Sequence, residues 1–383
     1  MTEKLYYVDS HMKEFTAQVT SCEYDGKHWC VELDRTAFFP EGGGQAADSG
    51  YIGDVRVFDV HEKDGHILHY AESEIVVGAE YHCAIDWDQR FRRMQNHSGE
   101  HIVSGLINKR FGYDNVGFHL AEDYVTLDFN GELSAEDIAE IELAANKAVW
   151  ENVNIITEFP NPEVLETLDY RSKLELTEDV RIVTVEGYDV CACCAPHVSR
   201  TGEIGIIKIV DSMKHRGGVR LTMLCGIDAY RDYARKQDAA AEISALLSAK
   251  RDDIAPAVKK FYNDLQNEKY QSSELKKTIL KAEGEKLTDI EGNYCFFYPA
   301  TFDINSLRIL VNEAMKHCSG IAAAFSGSDD AGYNYVMGSA DIDLRAKSKE
   351  INTAISGRGG GSPEMIQGSA KATKSEIENY FKN

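Results

Sequence analysis

Asn96-His97-Ser98-Gly99-Glu100-His101 and, far downstream, Cys193-Cys194-Ala195-Pro196-His197 decide how this chain is read. In each stretch two metal-ligating residue types stand four apart, and on a helix that spacing puts both side chains on one face, one turn apart. Together His97, His101, Cys193 and His197 offer three imidazoles and a thiolate, a full set for one tetrahedral Zn2+. Cys194 and Cys191 lie close enough to take the place of Cys193, so the identity of the sulfur ligand stays open at this point. Four protein ligands close a tetrahedral site, and closed sites are usually structural. A catalytic role then requires one ligand to leave, a fifth position to open, or the metal to position a polar group of a substrate.

The same helix spells His-x-x-Glu-His, the inverted zinc-peptidase pattern, with Glu100 as general base. That chemistry wants a third ligand, usually a downstream carboxylate, and an open position for water. Here a Cys and a His are the better candidates, so the peptidase reading is the weaker one.

Upstream, residues 1–85 read as β: Thr16 to Thr20 and His28 to Leu33 alternate or are β-branched, and Asp25-Gly26 punctuates them. Within this region stands Thr36-Ala37-Phe38-Phe39-Pro40-Glu41-Gly42-Gly43-Gly44-Gln45, followed by Asp48 and Gly50. Gly weakens strands and helices, so the run Gly42, Gly43, Gly44 points to close backbone approach to a ligand or to positive φ values. Between the two metal stretches, helical spacing covers 90–111, Val125 to Phe129 reads as a strand, and Ser134 with Asp137 forms a capping-box start. Strands follow at Asn154–Phe159 and Arg181–Val185, then a turn and strand over Gly202–Val210 and another over Gly217–Leu224.

Composition shifts near 227. From Asp228 to Lys286 the chain is rich in Ala, Lys, Glu, Gln and Leu, which predicts two long helices broken near Asp252 to Pro256. An α/β module follows, with Tyr294–Tyr298 and Ile321–Ser326 as strands and Ser306–Cys318 as a helix. Near its end Arg358, Gly359, Gly360 and Gly361 form a second Gly-rich stretch, the composition of a backbone-amide cradle for phosphate or carboxylate.

The 383 residues are 43% hydrophobic and 27% charged, ordinary for a soluble globular protein of two or three domains. No apolar run reaches membrane-spanning length, and no signal-peptide pattern opens the chain, so a cytoplasmic location is expected. Nine cysteines, crowded at 191–194, fit a reducing compartment with a metal or thiol site better than a disulfide framework. The net charge of −22 argues against general nucleic-acid binding but leaves room for local basic tracks. The candidates are Arg90-Phe91-Arg92-Arg93, Lys214-His215-Arg216 with Arg220, and Arg345, Lys347 and Lys349 with Arg358.

On these motifs the chain resembles the free-standing alanyl-tRNA editing proteins, the AlaX family, which are similar to the editing and C-terminal parts of alanyl-tRNA synthetase. Thr36 to Gln45 resembles the family's Gly-Gly-Gln loop, and Asn96 to His101 its His-x-x-x-His helix. Cys193 to Gly205 resembles its Cys-x-x-x-His-Val-x-x-Thr-Gly-x-Ile-Gly segment, and Gly359 to Gly368 the DHHA1 domain of longer members. One departure stands out: the usual Cys-Gly-Gly-Thr-His is here Cys-Cys-Ala-Pro-His, which keeps the ligand spacing and loses the small pair and the hydroxyl.

The resemblance implies an α+β chain built from an N-terminal small β-barrel with the Gly-rich loop (1–85) and a zinc-containing editing domain (86–226). A long helical hairpin spacer (227–288) and a C-terminal α/β DHHA1-like domain (289–383) complete it. It implies hydrolysis of the 3′-terminal ester of tRNA(Ala) mischarged with serine or glycine. Thr36 and Gln45 are then candidate pocket residues, and Gly42 to Gly44 lie against the substrate. Glu100 is a general base or a group behind the metal, and surface placement is its bland alternative. His119 is a further polar candidate. Arg358 with Gly359 to Gly361 would grip the tRNA, with homodimerisation through the C-terminal half as the competing role. A tRNA-binding protein without catalysis is the third class of reading.

Overall fold

The computed structural model describes residues 2–121, 124–172 and 180–382. The chain is a mixed α+β protein that separates into two compact units, Met1–Ala240 and Ala241–Asn383.

In the first unit a closed six-stranded barrel forms from residues 14 to 85. Around it run Glu14–Tyr24, Trp29–Leu33, His66–Ala71, Val55–Lys63, Gly50–Ile52 and Glu80–Ile85. Period-2 alternation explains the closure: Phe15, Ala17 and Val19 point inward while Glu14, Thr16 and Gln18 face out. The interior is filled by Val19, Val31, Phe38, Ile52, Val57, Val60 and Ile67.

After the barrel comes the helix Trp87–Phe111, one turn longer at its start than the spacing predicts, because Trp87 stacks on Phe91 with ring centroids 5.5 Å apart. Gly112 ends it in the left-handed conformation, φ 70°, and donates back to the Asn108 carbonyl at 2.8 Å. This helix is buried on nearly every side between Met94 and Gly105. Its glycines make that possible: a Cβ on Gly99 would overlap the Cys225 thiol, and one on Gly105 would overlap the Tyr188 carbonyl.

Two antiparallel sheets pack around it. One has the order Ile207–His215, Gly218–Cys225, Val125–Phe129, Asn115–Leu120; the other has the order Ile155–Glu158, Ile182–Val185, Asp189–Ala192. Met94, Ile102, Val103 and Ile107 of the helix share a core with Leu127, Val183, Val185, Leu221 and Met223. The helix Ala135–Glu151 starts at the predicted capping box, Ser134 with Asp137, and lays Ile141, Ala145 and Val149 on the same core.

The basic run Arg90 to Arg93 is not a phosphate track. Arg90 is fully buried and ion-paired with Asp48, with Nε 2.9 Å from Oδ2 and a second, shorter contact from Nη2. Arg90 also donates to the Ala37 carbonyl at 2.6 Å, while Arg92 reaches Asp228 at 2.7 Å and Arg93 the Ala47 carbonyl at 2.7 Å. A buried guanidinium is tolerated only with its partners in place, so Arg90 and Arg93 tie the helix to the barrel loop, and Arg92 ties it to the start of the helix Gly226–Leu246. In the second track, Arg220 is likewise forked onto Asp128.

The helix Gly226–Leu246 crosses the boundary between the units. A short turn at Arg251–Asp253 precedes the helix Ile254–Gly284, and Pro256 sits in its first turn, where a missing N–H costs no intrahelical bond.

The second unit carries a five-stranded sheet in the order Tyr294–Tyr298, Ala322–Ser328, Gly332–Gly338, Met365–Ala370, Arg358–Gly361. Its first pair is parallel and the rest antiparallel. The helix expected at Ser306–Cys318 spans Ile304–Ala314, because Asp303 takes the cap by accepting from the Ser306 N–H at 2.9 Å.

The second Gly-rich stretch is a strand rather than a cradle loop. Gly359, Gly360 and Gly361 pair with Gly368, Gln367 and Ile366 at the edge of the sheet. Among the described residues no helix is long and apolar enough to cross a membrane.

Candidate metal centre

His97 and His101 project from one face of the Trp87–Phe111 helix, their ring centroids 5.5 Å apart. The second pair is not helical. Cys193 and His197 lie on an irregular segment leaving the strand Asp189–Ala192, with Pro196 inside it. Its turn brings Cys193 and His197 together as a helix face would have done. The ligand atoms of His97, His101, Cys193 and His197 all lie within 4.8 Å of one another. Nε2 of His97 is 3.5 Å and Nε2 of His197 is 3.4 Å from Sγ of Cys193.

The sulfur in the cluster is that of Cys193. Cys194 turns its thiol to the backbone of Gly42 and Gly43, and Cys191 groups with His101 and Asp189.

Each imidazole is held from behind through Nδ1. His97 meets Gln45 Oε1 at 3.1 Å, His101 meets Asp189 Oδ2 at 2.9 Å and His197 meets Ser98 Oγ at 3.1 Å. All three Nε2 atoms are thereby left for the cluster, the arrangement metal-ligating histidines adopt. The three imidazoles are buried.

Burial alone would raise the Cys193 thiol, but His97 and the other imidazoles around it outweigh burial and hold its pKa well below the ordinary value, which favours the thiolate form. Burial also holds His197 neutral, its pKa lowered to about 3. For His101 burial again opposes charge, yet hydrogen bonds to Asp189 and Cys193 outweigh it and raise the pKa well above 6.5. A thiolate and imidazoles converging on one buried point form a donor set that fits a metal ion.

The Gly-rich loop adjoins this cluster. Gly42 and Gln45 exchange both backbone hydrogen bonds at 3.0 Å around Gly43 and Gly44, whose φ values are 61° and 79°. Two central residues at positive φ make a tight primed turn that strongly favours glycine. A Cβ on Gly44 would lie 2.6 Å from the Phe118 ring, and one on Gly43 3.2 Å from the Cys194 thiol. Phe118 in turn packs on His97 with centroids 4.7 Å apart. The turn presses the loop against the centre and delivers Gln45. The Gln45 Nε2 is buried with no partner among the described residues, and a buried amide in that state points to a missing acceptor.

The remaining sequence candidates fall as follows. Thr36 is fully buried on the short strand Arg35–Thr36, which pairs with Glu3–Lys4 rather than with the barrel strands, and is hydrogen-bonded to Nε2 of the barrel residue His69 at 2.8 Å. His69 is kept neutral by burial, its pKa lowered to about 4, and its Nδ1 meets the Val31 carbonyl, so the Thr36 hydroxyl is the donor. No hydrogen bond among the described residues joins Thr36 to the cluster.

Glu100 is not on the surface. It is buried, accepts from Ser104 Oγ at 2.7 Å and Asn115 Nδ2 at 2.6 Å, and brings Oε2 to 3.8 Å from Nε2 of His101. His119 is exposed on its strand, across from Thr126. Arg358 and Gly359 to Gly361 belong to the second unit and are exposed.

Sequence reasoning missed Ser98, Phe118, Asp189 and Arg171. Ser98 lies inside the motif itself. Asp189 starts the strand that ends at the cluster, a position from which its alternation could have been read.

Residues 180–221 match the family described as threonyl and alanyl tRNA synthetase second additional domain, and residues 3–89 match tRNA synthetases class II (A). The alanyl-tRNA editing protein AlaX-L of Pyrococcus horikoshii is 28% identical, over 98% of this chain and 96% of that protein. The alanyl-tRNA editing protein Aarsd1 of Mus musculus is 26% identical over 96% and 93%. An alanine–tRNA ligase of Ignicoccus hospitalis is 34% identical over 73% of this chain, which spans only 32% of that larger protein. The solved C-Ala domain of Aquifex aeolicus alanyl-tRNA synthetase matches 25% of this chain at 19% identity with a TM-score of 0.20, too low to carry an argument.

Proposed function

The chain is a relative, over nearly its whole length, of the free-standing alanyl-tRNA editing proteins, and from that premise we propose that it is a trans-editing deacylase. It hydrolyses the ester that joins serine, or glycine, to the 3′ end of tRNA(Ala), and releases the amino acid and free tRNA. A synthetic pocket for alanine cannot strongly reject an isostere that merely adds a hydroxyl, so a second site must remove the error.

The observation that carries the reading is the convergence of two features that a structural metal site does not need together. One is the buried His/Cys cluster; the other is the Gln45 Nε2, buried without a partner among the described residues and delivered beside the cluster by the Gly42–Gln45 turn. His97, His101, Cys193 and His197 would hold Zn2+. When bound, zinc supplies positive charge that orients a substrate polar group or lowers the pKa of water.

Gln45, whose Nε2 has no acceptor among the described residues, donates to the substrate's carbonyl or to the serine hydroxyl. Thr36 would first have to release His69 before meeting that hydroxyl, so Gln45 makes the polar contact. Glu100, held by Ser104 and Asn115, is the buried carboxylate that balances charge beside His101. Gly42 to Gly44 lie against the terminal adenosine.

In this reading 1–85 and 86–226 together form the editing half, 227–288 is a spacer, and 289–383 is a DHHA1-like module that contacts tRNA through Arg358 and Gly359 to Gly361. The peptidase alternative leaves Cys193 and His197 without a role, although both lie in the cluster.

The test is a deacylation assay on tRNA(Ala) charged with serine and, in parallel, with alanine. Serine is expected to be released and alanine retained, with release lost on chelation and restored by zinc. Equal background rates for both esters with zinc present would sink the proposal.

A further inference from the structure

Of the three groups that hold the cluster's imidazoles from behind, one differs in kind. The Ser98 hydroxyl and the Gln45 amide oxygen are neutral groups, whereas Asp189 offers a carboxylate. The Asp189 carboxylate, an acceptor only, holds a proton on Nδ1 of His101 and turns Nε2 toward Cys193 and the cluster.

Asp189 is itself clamped. Arg171 forks onto it, Nε to Oδ1 at 2.7 Å and Nη2 to Oδ2 at 2.8 Å, so Oδ2 receives both the guanidinium and the imidazole. The backbone repeats the clamp: the Arg171 N–H donates to the Val190 carbonyl at 2.8 Å, and the Arg171 carbonyl accepts from the Ala192 N–H at 2.9 Å. Arg171 is thus stitched to both sides of Cys191, on the strand that leads into Cys193. Gly105, one turn beyond His101, admits this assembly, since a Cβ there would lie 2.8 Å from Cβ of Asp189. Behind Arg171 opens a cavity of about 630 Å3, lined by Asp189, Lys109, Tyr170 and Tyr188 among others.

We infer that Asp189 and Arg171 are positioning residues for His101, and that the Arg171–Asp189–His101 chain sets the affinity and geometry of the metal centre. The inference rests on the reading of the four-residue cluster as a metal site. It does not depend on which ester the protein cleaves.

The test uses the full chain loaded with Zn2+ or Co2+. Affinity is measured by competition with a chelating dye, and geometry by the visible spectrum of the cobalt form. Asp189→Asn should weaken zinc about 10- to 100-fold, the range found for partners behind metal-bound histidines, and shift the cobalt bands. Arg171→Ala should move both readouts in the same direction by less. Guanidinium ion at low millimolar concentration, entering the cavity, should restore them. Arg220→Met, which breaks a comparable fork with Asp128, serves as the control and should leave both unchanged.

Should Asp189→Asn fail to fold, Arg171→Lys takes its place; it keeps the charge and loses the fork, and should fall between parent and Arg171→Ala. Zinc affinity and cobalt spectrum within twofold of the parent in both the Asp189 and Arg171 variants would overturn the inference, as would a parent chain that binds no metal. If the metal readouts move as expected while seryl-tRNA(Ala) is not cleaved by the parent, the proposed function falls and the positioning role stands.

Discussion

Two stretches of this chain have nearly the same composition and opposite fates. Gly42, Gly43 and Gly44 form a tight turn with two left-handed residues, pressed onto Phe118 and Cys194 and ending in a buried glutamine. Gly359, Gly360 and Gly361 form an extended, exposed edge strand paired to Met365–Ala370. In the first, glycine is needed for its φ angle and for close approach to a site. In the second it is needed because neighbouring backbone and the Tyr335 hydroxyl leave no room for a side chain at Gly359 and Gly361. A glycine run therefore signals crowding or positive φ, and which of the two depends on what packs against it.

Four substitutions sharpen or break this contrast. The largest effect is expected from Cys193→Ala, which removes the thiolate that three imidazoles face. It should abolish stoichiometric zinc binding and lower deacylation by about 100-fold or more, by analogy with the loss of a catalytic metal's contribution; elemental analysis beside the deacylation assay checks it.

Next is Gly44→Ala. A left-handed alanine costs about 1–2 kcal/mol, and its Cβ would lie 2.6 Å from the Phe118 ring. Thermal unfolding should register that loss, and displacement of Gln45 should lower turnover of seryl-tRNA(Ala) about tenfold. Unchanged turnover would detach the loop from the site.

Gly359→Ala should destabilise the second unit by about 1–3 kcal/mol through overpacking and leave metal binding untouched. A loss of zinc in that variant would contradict the separation between the two glycine stretches. The smallest effect belongs to Gly360→Ala, where nothing lies within 4 Å of a new Cβ. Stability should stay within about 0.5 kcal/mol of the parent. If that variant nevertheless weakens tRNA binding in a filter assay, the edge strand is a nucleic-acid contact.

The site was legible in unequal parts. The spacing of His97 and His101 on an apolar-periodic segment was enough to place both on one helical face, because helical period is a local property. The four-residue spacing of Cys193 and His197 suggested the right partners for the wrong reason, since Pro196 lies in an irregular segment there and the bend, not a helix face, joins them. Arg90 to Arg93 read as a candidate basic track and proved to be an anchor, because the burial of Arg90 depends on Asp48 arriving from another segment. Asp189 stands in a strand whose alternation can be read, but no local pattern says that it meets His101, and Arg171 left no mark at all. One meets His101 from a strand, and the other comes from a connecting segment stitched to that strand.

By itself the sequence determined the donor types, their approximate grouping, the alternation that closes the barrel and the capping box at Ser134. All of these are written in periods of two and 3.6 residues or in nearest neighbours. The tertiary structure alone decided which of three neighbouring thiols joins the cluster, what stands behind each imidazole, and which glycine run lies beside the metal centre. Those outcomes depend on contacts between segments distant in the chain, and they arise only when the helix, the barrel and the Asp189–Ala192 strand pack against one another.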